Sequence, residues 1–344
     1  MSASPAEAPE LEPPYQDIVG VEMLSERYRA SLSRTQRLAA AVGSELPVHT
    51  IDLMGGGDIP NEPGAYLFSD QVTVSRGGTI VAAMFDLDPK TLSGKIDSAH
   101  AVLPGKLSFL YLMGNKIAEG HRYVAAKGYY KRELEDRFRR MEAEIQISRS
   151  QKERGEIAFD PIAVVVAPPE YRGKQTDDSA YDLLLVTALD EGVTTLDNQP
   201  WQLGFDQANL QLAESAVDAL GRFNTSTGMH GDAKVKNVAQ GPSGQTSMID
   251  FETSQTIDLE DPSSVATAVH EDLAKLFKSL GDQGFFGREP YRAREVLENL
   301  GEKYAGHWQS HSPAVQNVVY EAIISVVDSC ADELSRPAFH SSTA

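Results

Sequence analysis

Apolar positions recur at two different periods along this chain, and the change of period divides it. In the first part, short apolar or β-branched runs alternate with glycine-bearing turns, a pattern that predicts strands. Residues 48–54 end at Gly55-Gly56-Gly57, and residues 71–75 and 79–85 flank Arg76-Gly77-Gly78 as a hairpin. Residues 107–113 and 122–127 predict two further strands, residues 162–166 a short one closed by Pro168-Pro169, and residues 181–189 another with Leu183 to Val186 unbroken. Two helices interrupt this region. One covers residues 16–43; the other covers residues 131–150, where Leu134, Phe138, Met141, Ile145 and Ile147 share a face. From about Asp206 the period turns helical, with helices over residues 207–223, 263–280, 291–308 and 315–334 around a short β-like piece at 237–251. Asp261-Pro262 is a start signal for the second of these, since proline is tolerated at the first helical position. The order predicts an α+β fold of two lobes, a β-rich one containing a long helix and a mostly helical one.

Charge narrows the classes of function. With 31 Lys and Arg against 50 Asp and Glu, the net charge is −19. That excludes general nucleic-acid binding, which needs a basic surface. No run approaches the roughly 18 apolar residues of a membrane span. The first 14 residues are acidic and proline-rich, without the basic-then-apolar order of a signal peptide, and are expected to form a disordered tail. Cys330 is the single cysteine, so neither an internal disulfide nor a thiolate cluster can form, and a cytoplasmic setting is expected. Gly55-Gly56-Gly57 lacks the Lys and Ser/Thr of a phosphate-binding P-loop, and reads as a turn.

The candidate chemistry sits between residues 229 and 252. Met229-His230-Gly231-Asp232-Ala233-Lys234-Val235-Lys236-Asn237 follows a predicted helix, and a hairpin then returns as Ile249-Asp250-Phe251-Glu252. A hairpin of that length brings Asn237 and Asp250 together. An amide oxygen and a carboxylate there are hard ligands suited to Mg²⁺ beside phosphate. Asp232, one short loop away, could accept the proton of an attacking hydroxyl. Phosphoryl transfer needs this division of labour.

At these residues the sequence resembles the aminoglycoside phosphotransferase and choline kinase-like branch of the protein-kinase superfamily, which writes its loops as His-Gly-Asp and Ile-Asp-Phe-Glu. The resemblance covers about residues 99–280. It implies a two-lobed protein-kinase-like fold, ATP and Mg²⁺ as cofactors, Asp232 as catalytic base, Asn237 and Asp250 as metal ligands, and His230 as a loop-orienting residue. Lys234 departs from the branch, which often has His there; lysine is the protein-kinase habit, where it approaches the transferred phosphoryl. Upstream, Tyr123-Val124-Ala125-Ala126-Lys127 looks like the strand that carries the nucleotide lysine, with Glu142 or Glu144 of the next helix as its partner and Glu142 preferred as the inward one. Leu103-Pro104-Gly105-Lys106-Leu107-Ser108 is the expected phosphate-covering loop, with Lys106 and Ser108 its candidate contacts; an ordinary Pro-Gly turn is the alternative. Ala268-Val269-His270-Glu271-Asp272-Leu273-Ala274 looks like the family's buried Asp-Leu-Ala helix, a structural support.

These expectations divide the chain into a tail (1–15), an N-terminal helix and β extension (16–95), an N-lobe (96–189) and a C-lobe (190–338). The expected activity is transfer of the γ-phosphoryl of ATP to a hydroxyl of a small molecule. A cationic acceptor, an amino sugar or amino alcohol, would suit the acidic residues Glu252, Asp258, Glu260 and Asp261. The alternatives are a kinase-like nucleotide-binding or interaction protein without turnover, and a protein kinase.

Overall fold

The computed structural model describes residues 46, 48–50, 72–74, 80–86, 123–129, 134–157, 159–167, 182–190, 192–202, 204–286 and 292–335. The helix expected at 16–43, the strand expected at 107–113 and the tail lie outside the described residues. What is described mixes strand and helix, and among these residues no helix is long and apolar enough to cross a membrane.

Strands β1 (Val48–Thr50), β2 (Val72–Val74), β3 (Ile80–Asp86), β4 (Tyr123–Tyr129), β5 (Asp160–Ala167) and β6 (Asp182–Leu189) form one sheet in the order β1-β5-β6-β4-β3-β2. All neighbours are antiparallel except β1 and β5, which run parallel. The hairpin expected around Arg76-Gly77-Gly78 is present as β2 and β3, with a register shift between Thr73 and Val74. A boundary near residue 96 would therefore cut this sheet. β2 and β3, expected in an N-terminal extension, are hydrogen-bonded to the strands expected in the N-lobe. Local periodicity reports strands but not their partners, so this pairing across residue 96 had no local signal.

Helix α1 (Leu134–Glu153) packs on β4 and β5. Phe138, Met141, Glu144, Ile145, Ser148 and Gln151 are buried, at the three- and four-residue steps of one helical face. In β5 and β6, consecutive residues Ala163 and Val164, and Leu185 through Ala188, are all buried, so both faces of the sheet are covered there.

The second half begins with β7 (Thr194–Thr195) and a 3-10 turn, Leu196–Asn198. Helix α2 (Gln207–Ser226) starts where Asp206 accepts the Asn209 N–H, an N-cap that satisfies a backbone donor with no partner inside the helix. Then come β8 (Gly228–Met229), a second 3-10 turn (Val235–Asn237), and the hairpin of β9 (Val238–Gln240) and β10 (Thr246–Met248). Short β11 (Gln255–Thr256) pairs with β8. Helix α3 (Pro262–Asp282) opens as expected, with Asp261 accepting the N–H groups of Ser263 and Ser264 and proline at the first position. Helices α4 (Ala293–Gly306) and α5 (Pro313–Ser335) complete the core, where Phe223, Phe251, Phe277, Tyr304 and Trp308 are fully buried. Residues 151–157 join the sheet to this half: Gln151 and Arg154 donate to the Thr227 hydroxyl at 2.8 and 3.0 Å, and the Ile157 N–H donates to Ser247 Oγ at 2.8 Å.

Candidate functional site

The segment from β8 to β11 is held by buried polar groups, and their geometry decides what each can do. His230 is fully buried. Its ring lies against Phe223 and Phe251, which stack on each other with centroids 5.4 Å apart. Its Nε2 is 2.9 Å from the Ile249 carbonyl, and the Asp232 N–H approaches its Nδ1 at 3.3 Å. A carbonyl can only accept and an amide N–H can only donate, so the two contacts require the neutral Nε2–H tautomer. Burial lowers the His230 pKa in agreement with this. His230 therefore orients the loop and carries no charge.

Asp272 of α3 is buried beneath the loop. It accepts the N–H of His230 at 2.6 Å, the N–H of Gly231 at 2.8 Å and Asn224 Nδ2 at 2.9 Å. Burial pushes its carboxyl above the usual range, while the nearby imidazole and these donors pull the other way. On the other side of the loop, the His230 carbonyl accepts from the Thr253 and Ser254 hydroxyls at 3.1 and 3.0 Å, and Lys275 Nζ donates to the Gly231 carbonyl at 2.6 Å. Gly231 has φ +81, and a Cβ there would lie 2.5 Å from the Thr253 carbonyl oxygen. Only glycine fits both demands.

Asp232 follows directly, half-buried at the mouth of this arrangement. Lys234 Nζ is 2.5 Å from its Oδ1. Asn237 Nδ2 donates to its carbonyl at 2.8 Å and to its Oδ2 at 3.2 Å. The Asn237 carbonyl in turn accepts the Ile249 N–H at 2.9 Å, which extends the β9–β10 pairing by one step toward the loop. Asp250, the next residue, has φ +68, the one non-glycine residue with positive φ among the described residues. That conformation costs a non-glycine residue roughly 1–2 kcal/mol and is enriched at functional sites. Because Asn237 spends Nδ2 on Asp232, its side-chain oxygen Oδ1 faces no demand from that contact.

The sheet side differs from expectation in one residue. Glu142 is exposed and accepts from Gln146 Nε2 at 3.4 Å, whereas Glu144 is 5% exposed. The inward glutamate of α1 is Glu144, and the preference for Glu142 is corrected. Arg139, Glu142 and Gln146 form the outer stripe, while Met141, Glu144, Ser148 and Gln151 form the buried one. Ile147, also buried, widens the apolar arc on the side of Glu144, which was the signal available in the sequence.

Lys127 is placed by its backbone in β4, opposite Ala82 of β3 and Leu185 of β6. Lys106 and Ser108 lie outside the described residues.

A cavity of about 500 Å³ opens beside the loop, lined by Arg139, Arg140, Gly231, Glu252, Thr253 and Glu271 among others. Arg140 spans it, with Nη1 3.7 Å from Glu252 Oε1. A larger cavity of about 640 Å³ lies between α2 and β10 and contains none of the candidate residues. Its cations are paired, Arg222 by Glu156 and Asp218 and Lys303 by Glu214. Asp272, Asn224, Tyr304, Thr253 and Ser254 were not assigned to the site from sequence; of these only Asp272 carried a signal, as the polar residue inside an otherwise apolar helical stripe. Compared with known proteins, the chain matches no family model and no curated protein sequence.

Proposed function

We propose that the chain is a kinase-like phosphotransferase that moves the γ-phosphoryl of ATP to a hydroxyl group of a small molecule. The observation that carries this reading is the linkage of three residues at one end of the β9–β10 hairpin. Asn237 binds Asp232 through its amide and Ile249 through its carbonyl, and Asp250 follows in a left-handed conformation. The strand order of the sheet supports it as well, with β2-β3-β4-β6-β5 antiparallel throughout and a helix between the third and fourth of these in chain order.

In this reading Asp232 takes the proton of the acceptor hydroxyl as its oxygen forms a bond to the γ-phosphorus. The bond from that phosphorus to the β,γ-bridging oxygen breaks, and ADP leaves with the electron pair. Lys234, already paired to Asp232, counters negative charge near the transferred group. Mg²⁺ at Asn237 and Asp250 would neutralise phosphate charge. Glu144 replaces Glu142 as the partner of Lys127 at the nucleotide. The segment containing Lys106 and Ser108 remains the proposed covering loop. Thermal melts test nucleotide binding itself. At a hundredfold excess over Kd, ATP with Mg²⁺ should stabilise the protein by about 2.7 kcal/mol. Coincident melts with and without ATP·Mg²⁺ would refute the reading.

A further inference from the structure

A buried hydrogen-bond chain runs from α4 to the backbone of the candidate catalytic loop. Tyr304 Oη lies 2.8 Å from Asn224 Oδ1, and Asn224 Nδ2 lies 2.5 Å from the Gly228 carbonyl and 2.9 Å from Asp272 Oδ2. Gly228 O and the Asp272 carboxylate are acceptors, so the Asn224 amide can face them only with its NH₂, and its oxygen must turn to Tyr304. The tyrosine is then the donor. Burial raises its pKa well above the ordinary value and keeps that proton in place. All three side chains are fully buried. The bonds from Tyr304 through Asn224 point toward Asp272, whose carboxylate accepts from Asn224 and also from the His230 and Gly231 N–H groups.

We propose that Tyr304 and Asn224 are positioning residues for the phosphoryl-transfer loop: through Asp272 they set the backbone at His230–Gly231, and with it the place of Asp232. Neither residue touches the cleft, and the proposal rests on the phosphotransferase reading for its effect on turnover. Asn224 sits two turns of chain before the loop and Tyr304 about 70 residues after it, so the chain ties α2, α3 and α4 to one tripeptide. On the other side Lys275 Nζ holds the Gly231 carbonyl at 2.6 Å. Removing one hydroxyl 80 residues from Asn224 in sequence should therefore be felt at Asp232.

The test uses the full chain and Tyr304→Phe, which deletes only the hydroxyl. Turnover is read as release of inorganic phosphate from ATP·Mg²⁺ with water as acceptor, and loop geometry as amide hydrogen exchange across residues 228–237. We expect kcat to fall by about 10- to 100-fold, the scale of a small misplacement of a reacting group, with the KM for ATP unchanged within about twofold. Exchange should rise at His230 and Gly231 while α3 and α4 stay protected. Wild-type kcat together with wild-type exchange would overturn the proposal. So would exchange rising uniformly, which marks general destabilisation. If wild type releases no phosphate to water, the exchange result alone decides whether Tyr304 sets this loop, and the phosphotransferase reading is tested separately with acceptors. Should Tyr304→Phe not fold, the unmodified protein decides: the His230 and Gly231 amides must exchange as slowly as those buried in α3, and fast exchange refutes the chain.

Discussion

The loop between β8 and β9 and the strand β4 position their polar residues by different means. The loop is fixed by side chains: Asp272, Thr253, Ser254, Lys275 and Asn237 each bond a specific backbone or carboxylate atom within a span of eight residues. Strand β4 is fixed by backbone register between β3 and β6, partners about 45 and 60 residues away. A residue that must meet a reacting atom is held by many short directional bonds, whereas one that must meet a diffuse phosphate charge needs only a rigid strand and a buried counter-charge. Perturbing the two regions should therefore give different signatures.

The largest effect on stability should come from the loop's anchor. Asp272→Ala would leave the His230 and Gly231 N–H groups and the Asn224 amide without their acceptor, at about 1–3 kcal/mol for each unsatisfied buried donor. A drop in unfolding free energy of about 3 kcal/mol or more is expected in denaturant melts. A loss under 1 kcal/mol would mean that the loop is held by something else.

The sheet side should respond in ligand affinity instead. Glu144→Gln is expected to weaken ATP·Mg²⁺ binding about tenfold, since removing one charge of a pair near phosphate costs on the order of 1–2 kcal/mol. Glu142→Gln should change it by less than twofold. Titration of both variants with a fluorescent nucleotide separates them, and equal effects would erase the distinction between the two faces of α1.

That distinction also shows which parts of the protein could be read from sequence. The loop was legible because its chemistry is local: His230, Asp232, Asn237 and Asp250 lie within 21 residues, and the Asp261-Pro262 start of α3 marks its own helix. The helices of the second half were legible through their period. The preference for Glu142 rests on the likeness of Met141-Glu142-Ala143-Glu144-Ile145 to the family's helix, whereas burial of Met141, Ile145 and Ile147 turns Glu144 inward. The six-stranded sheet was not legible as a whole, because the pairing of β3 with β4 and of β4 with β6 is a long-range property. The chain from Tyr304 through Asn224 was invisible for the same reason, with members on three helices.

The smallest expected effect is a pH dependence confined to the loop. His230 has a folded pKa below its ordinary 6.5, so the unfolded chain binds a proton that the folded one refuses. Its contribution is present above pH 6.5 and is lost as the pH falls from 6.5 toward the lowered value, at no more than about 1.4 kcal/mol per pH unit. Asp272 is displaced upward from 3.8, so its own contribution is present below pH 3.8 and is lost as the pH rises through the raised value. Melting curves of wild type and His230→Gln should converge as the pH falls below 6.5. Parallel curves across that range would show that His230 is not held neutral.

The measurement that bears most directly on the central claim is ATP consumption by the purified chain with Mg²⁺, across a panel of amino sugars, amino alcohols and nucleosides, with Asp232→Asn as the comparison. The account predicts acceptor-dependent conversion of ATP to ADP by the wild type, about 10²–10⁴-fold slower in Asp232→Asn, with nucleotide affinity retained. Equal turnover by the two proteins would contradict it.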